Sequence, residues 1–158
     1  MAIDSVELRR VMGHFATGLT VVTTISASGE PSGLTANAVA SVSLNPPLVL
    51  VCVDKTAESH PHFAQSKVFT INILSEHQEN VSRRFATKGP DKFAGIGYRL
   101  GANQAPILEG VIAYAECSLV AAYEGGDHTI YVGEVQEANT QEGQPLLFFR
   151  GGYRQFSS

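Results

Sequence analysis

The sequence predicts a mainly β protein, an antiparallel barrel with short helices at its openings, and three observations carry that prediction. About seven stretches are rich in Val, Ile, Thr and Leu and are bounded by Gly, Pro, Asn and Ser turn signals. Most follow one another in hairpin order, without the crossover helices that a parallel sheet requires. No GxGxxG follows the first strand, so the dinucleotide fingerprint of a doubly wound sheet is missing.

The elements follow in order. Asp4 and Ser5 are N-cap residue types, and Leu8, Val11, Met12 and Phe15 fall at i, i+3, i+4 and i+7. That spacing predicts an amphipathic helix that turns one face inward and ends at Gly18. LTVVTTIS (19–26) is β-rich, and SGEP (28–31) is a hairpin turn by composition. GLTANAVASVS (33–43) reads as the next strand, broken by Asn45-Pro46-Pro47 because proline cannot donate to a ladder. LVLVCVD (48–54) is a near-continuous apolar run and predicts a strand buried on both faces. Pro61 suits the first turn of a short helix to about Ser66, VFTINIL (68–74) is a strand, and 77–87 suits a helix with Val81 and Phe85 as its apolar pair. Residues 88–110 read as loop. Val111, Ala113, Ala115, Cys117, Leu119 and Ala121 alternate with polar residues and predict a long strand with one apolar face. EGGD turns it into HTIYVGEVQEA (128–138), and PLLFFRGGY closes the fold.

The totals bound the function. A chain of 158 residues can bury a core without disulfides and reads as one domain, 1–158. Hydrophobic residues are 44% and charged residues 16%, a globular composition. The net charge of -4 argues against a nucleic-acid partner, although a local basic spot can still hold one phosphate. No apolar run reaches the roughly 18 residues of a membrane span, and MAIDSVELRR has no signal-peptide core. The expectation is therefore a cytoplasmic chain away from membranes, with Cys52 and Cys117 as free thiols.

The residues themselves offer no strong catalytic motif: no Walker loop, HExxH or CxxC is present. His60 and His62 with Asp127 and His128 are too sparse a set to favour zinc over a solvated surface. Ser41, His128 and Asp54 could be drawn as a hydrolytic triad, but no strained GxSxG turn marks the serine. The stretch 33–43 is the most informative. On one strand Thr35, Asn37, Ser41 and Ser43 share a face, which is either solvated or laid out for a polar ligand; the pattern alone favours solvent. Ser59, at the entrance of a short helix, is equally a cap or an anion contact, and Arg83-Arg84 are exposed helix charges unless a phosphate lies near.

Five blocks in order then carry a resemblance: VMGHFATGLTVVTT (11–24), GLTANAVASVSLNPPLVLVCVDKTAESH (33–60), FTINIL (69–74), GDHTIYVGEV (126–135) and PLLFFRGGYR (145–154). Together they resemble the short-chain flavin reductase family over residues 7–154, with Asn45 where Asp is usual and Val39 where an aromatic is common. The resemblance implies a flavin-binding split β-barrel that reduces FMN or FAD with NADH or NADPH, NADH favoured, and supplies a separate flavin-dependent monooxygenase. It implies that Leu34, Thr35, Ala36, Asn37, Ala38 and Ser41 run along the flavin and that Val53, Asp54 and Lys55 border its ring. Ser59 and His60 would lie at the ribityl-phosphate end, with Arg84 and Phe85 reaching the phosphate or an adenylate. His128 would position the nicotinamide without acid–base work, and Tyr153 would help close that side. It also implies a homodimer with flavin sites at the interface. Hydride transfer between stacked rings needs position more than a triad, which suits these residue types. The alternative is a flavoprotein that keeps FMN for electron transfer or sensing; a barrel for another small molecule is the weaker third reading.

Overall fold

A computed structural model describes residues 1–157. In chain order the elements are α1 (Ser5–Met12), β1 (Thr17–Gly18), β2 (Thr20–Ile25), β3 (Pro31–Ala36), β4 (Val39–Leu44), β5 (Pro47–Asp54), α2 (His60–Ser66), β6 (Val68–Ile73), α3 (Glu79–Phe85), β7 (Tyr98–Leu100), β8 (Pro106–Leu108), β9 (Ala113–Gly125), β10 (His128–Thr140), β11 (Leu146–Phe149) and β12 (Gly152–Gln155). The largest sheet has seven strands in the order β3-β2-β6-β9-β10-β5-β4, with every neighbouring pair antiparallel. Two small sheets, β1-β11-β12 and β7-β8, flank it.

The two edges of the large sheet are consecutive in the chain. β3 ends at Ala36 and β4 begins at Val39, and three trans peptide links span at most about 11 Å. The edges therefore meet at this end, and the sheet curls into a barrel that is not closed by a ladder along its seam. The Ala38 carbonyl accepts a bond from the Cys52 N–H (3.0 Å), which fastens the link to β5. This is a split barrel, as the resemblance implied. It also corrects the single strand read over 33–43. The chain changes partner from β2 to β5 at Asn37, and a register shift between Ser41 and Ser43 follows. Strict alternation from Thr35 to Ser43 is lost, because it holds only while one ladder continues.

Core residues lie on both sides of the β2 ladder. Val22, Val51, Val53, Phe63, Phe69, Ile71, Cys117 and Tyr131 fill the barrel interior. Val21, Leu19, Leu74, Val81, Phe85, Leu108 and Leu146 form a second cluster outside it. Adjacent Val21 and Val22 serve opposite clusters, as successive strand residues must. Val81 and Phe85 are the buried pair of α3 that the sequence predicted. Residues 98–100 and 106–108, read as loop, pair as β7 and β8. The polar face of β9 is also not simply solvated: Glu116 is buried, accepting a bond from the Asn103 N–H (3.0 Å).

Two further expectations are corrected, and both concern the site. The apolar stripe of α1 does not turn inward: Leu8 is 53%, Met12 56% and Phe15 70% exposed. Asp4 caps the helix through the Glu7 N–H (2.8 Å), but α1 leans on the β11–β12 turn by its C-terminal end. There the Gly13 carbonyl accepts from the Arg150 N–H (2.7 Å), and the His14 ring meets Phe149 edge-on. Nor is β5 buried on both faces. Val51 and Val53 face the core, while Leu50 and Cys52, on the opposite face, line an open cleft.

Candidate functional site

The site grows from the Asn37–Ala38 link, where both residues are exposed. Three clefts surround this end of the barrel. An apolar cleft of about 680 Å³ is lined by Phe15, Thr17, Ala38, Val39, Leu50 and Cys52. A second, also about 680 Å³, lies between α1 and the β11–β12 turn and shares Met12, Phe15 and Asn37 with the first. A smaller one of about 390 Å³ is lined by Gly33, Glu58, Ser59, Asp91, Lys92 and Phe93.

The predicted residues divide between these clefts and the framework. Asn37 and Ala38 are in the lining. Thr35 spends its hydroxyl on the Ser82 carbonyl (2.5 Å), Ala36 is buried, and Leu34 packs against the barrel interior. Ser41 is exposed on β4 and outside the apolar cleft. The Val53 side chain lies wholly inside the core, so only its backbone can border a ligand. Phe85 is a correction of the same kind. It is buried and meets Phe93 edge-on at 4.9 Å, which leaves no ring surface for a phosphate or adenylate. Arg84 donates to the Ala94 carbonyl (2.6 Å) and so braces the loop that lines the smallest cleft. Tyr153 bonds Ser82 Oγ through its hydroxyl (2.9 Å) beneath the Arg83 guanidinium; it ties β12 to α3 and lines none of the three clefts.

Asp54, Lys55 and His128 do come together. Ladder register sets His128 opposite Asp54, two residues along β5 from Cys52. Asp54 Oδ1 accepts from the backbone N–H and hydroxyl of Thr56, both at 2.8 Å. These bonds hold its carboxyl below the usual carboxylate range, with lesser help from His128 and Lys88. The Lys55 N–H donates to the Asp127 carbonyl (3.0 Å) and its ammonium to Glu124 (2.5 Å). His128 Nδ1 is 2.7 Å from Asp127 Oδ1, which fixes the ring orientation. His60 points elsewhere: its Nε2 is 2.9 Å from Thr129 Oγ1 and 3.3 Å from the Tyr131 hydroxyl.

Among the described residues, two buried side-chain polar atoms have no hydrogen-bond partner, Thr17 Oγ1 and Ser59 Oγ. Thr17 lines the apolar cleft and Ser59 the smallest one. Ser59 precedes α2 yet makes no side-chain cap bond. An orphaned buried hydroxyl is costly unless something satisfies it, and each of these lies in the wall of a cleft. Lys92 stands beside Ser59 in the same lining, and burial pushes its ammonium pKa down. Sequence reasoning missed Lys92, Thr17 and Cys52 as site residues. Lys92 sits in a stretch with no periodicity, Thr17 fell at the end of the predicted first helix, and Cys52 showed only as a strand residue.

Comparison with known proteins identifies the family of the chain. The flavin reductase-like domain model matches residues 12–157. A flavin reductase of Pseudomonas putida is 43% identical over 158 residues, covering 99% of this chain and 93% of that one. The reductase subunit of a flavin-dependent monooxygenase from Rhodococcus jostii is 42% identical over 153 residues, covering 96% and 78%. The NADH:FAD oxidoreductase of Streptomyces globisporus, solved with NAD and FAD fragments, superposes with a TM-score of 0.92 at 44% identity, covering 98% and 93%. With the family match spanning almost the whole split barrel, the chain belongs to the flavin reductase-like domain family.

Proposed function

We propose that the apolar cleft beside Asn37 and Ala38 is where this flavin reductase brings a reduced nicotinamide, NADH or NADPH, onto FMN or FAD. The reduced flavin then leaves for a separate flavin-dependent monooxygenase. The observation that carries the reading is the pair of clefts, an apolar one at Asn37 and Ala38 and a smaller one lined by Lys92, each with an unpartnered buried hydroxyl in its wall. Their chemistry suits a long ligand with a flat, mostly apolar ring at one end and a phosphate at the other. A bound flavin supplies the electron-accepting ring.

The chain's own part is placement. Leu50, Cys52, Ala38 and Phe15 offer an apolar wall that excludes water. Backbone groups of Asn37, Ala38 and Val53–Lys55 border the ring, with Asp54 and Lys55 held rigid by Thr56, Asp127 and Glu124. Ser59 and Lys92 hold the phosphate end. His128, oriented by Asp127, positions the nicotinamide and moves no proton. Two rings held in one attack geometry need no nucleophile, because proximity alone removes several kcal/mol of barrier. NADH is favoured as donor, in keeping with the relative that uses it.

The active unit is a homodimer. Support comes from the exposed α1 stripe and the half-buried Leu50–Cys52 face beside it, apolar surface of the kind that marks an interaction site. A cytoplasmic setting accords with Cys52 and Cys117, both free, and no described helix is long and apolar enough to cross a membrane.

Desalted protein tests the reading. Loss of reduced-nicotinamide absorbance should require added FMN or FAD and saturate with it, and the desalted chain should be colourless. Yellow protein that keeps FMN and gains nothing from added flavin would instead support the retained-flavin alternative.

A further inference from the structure

The cleft between α1 and the β11–β12 turn is unlike the other two because its lining is cationic. Arg9, Arg10, His14 and Arg150 all line it, in a chain whose net charge is -4. Arg10 is held by Glu7 in a two-bond ion pair (2.6 and 2.9 Å). Arg9 and Arg150 are different: among the described residues neither guanidinium has a carboxylate or a hydrogen-bond acceptor. Two unpaired guanidinium groups on one concave surface attract a compact anion, and phosphate oxygens match their donor fork.

Arg150 also occupies a costly position. It and Gly151 form the two-residue link between β11 and β12 with φ of 51° and 75°. Such a turn favours Asn or Gly at its first place, because a side chain with φ above zero meets steric resistance. An arginine stands there, tied to the end of α1 by its own N–H, and it lines the cleft together with Arg9. The cleft joins the apolar one through Met12, Phe15 and Asn37. One molecule can therefore set a ring in the apolar part and its phosphates among the arginines.

We propose that Arg9 and Arg150 bind the pyrophosphate of the nicotinamide dinucleotide, as a subsite separate from the Ser59–Lys92 cleft assigned to the flavin phosphate. The inference rests on the reductase reading above. It divides two phosphate-bearing substrates between two chemically distinct clefts. Arg9 and Arg150 are positioning residues for the donor and leave the hydride step itself untouched.

The experiment compares wild type with Arg9→Gln, Arg150→Asn and Arg150→Lys, using NADH, NADPH and the phosphate-free donor 1-benzyl-1,4-dihydronicotinamide. Asn suits the turn, so Arg150→Asn keeps the fold while removing the charge. The expected result is a KM for NADH raised about tenfold or more in R9Q and R150N, the scale of one charge-assisted contact. Arg150→Lys should recover part of that loss. Rates with the benzyl donor and flavin affinity by titration should be unchanged. Equal losses with NADH and NADPH assign the pyrophosphate, whereas a loss confined to NADPH would overturn that and move the contact to the 2′-phosphate. An unchanged KM for NADH, equal damage with the benzyl donor, or weakened flavin binding would each overturn the proposal while the reductase reading stands. A wild-type chain that oxidises none of the three donors with either flavin would remove both.

Discussion

At the scale of single residues, the site is built from groups already held in place. His128 is the clearest case, since Asp127 fixes its ring while its register partner Asp54 is locked by Thr56. His128→Ala should raise KM for NADH or lower kcat/KM by roughly ten- to a hundredfold, the scale of one lost orienting contact. Flavin affinity by titration should barely move; equal damage to both would place His128 in the flavin pocket. The two thiols give a second residue-scale prediction. Burial, with Glu116 adding to it, pushes the Cys117 thiol up to about 12, while burial raises Cys52 less. A raised pKa means less thiolate at a given pH, so at about pH 8 a disulfide reagent should label Cys52 slowly and Cys117 only on unfolding. Saturating FMN or FAD should slow Cys52 labelling further, because that thiol lines the apolar cleft. Labelling at the same rate with and without flavin would place the ring elsewhere. Asp54, Lys55 and His128 entered the candidate site through the family resemblance of the blocks that hold them, since their own composition marks only a strand end and a turn. Phe85 carried two readings, the buried partner of Val81 from its spacing and a phosphate contact from the resemblance, and its side chain takes the first.

At the scale of elements, the strands were legible from their β-branched runs, and the break between β3 and β4 was not. Thr, Asn, Ser and Ala continue across Asn37 with no Pro or Gly to mark it, and only the change of partner from β2 to β5 reveals it. The amphipathic pattern of α1 was equally plain, but periodicity reports that a face will be covered without saying by what. The β9–β10 hairpin carries a sharper constraint. A Cβ on Gly133 would come within 2.5 Å of the Phe69 ring and 2.8 Å of Cys117 Cβ, both in the barrel interior. Gly133→Ala should therefore destabilise the fold by about 1–3 kcal/mol, the usual cost of overpacking a filled core. A lower denaturant midpoint with unchanged slope would record it, and an unchanged midpoint would mean that the interior yields freely.

At the scale of the whole molecule, the chain leaves apolar surface open on α1 and on β5, and the two adjoin at Met12 and Phe15. The proposed homodimer would cover part of this surface with a second copy. Sedimentation at micromolar concentration should give a dimer, and Leu8→Glu with Val11→Glu should shift it toward monomer. Glu is a good helix former, so the helical signal should persist. A monomer with full activity would contradict the assembly. In the proposed function the molecule works by placement, holding the nicotinamide on one face of the flavin so that one C4 hydrogen is delivered directly. The most direct test mixes the chain anaerobically with flavin and NADH deuterated at either C4 position in turn, and follows flavin bleaching. Bleaching should slow for one epimer only, with the deuterium leaving NADH entirely from that face. Bleaching that ignores the label, or deuterium lost equally from both faces, would contradict it.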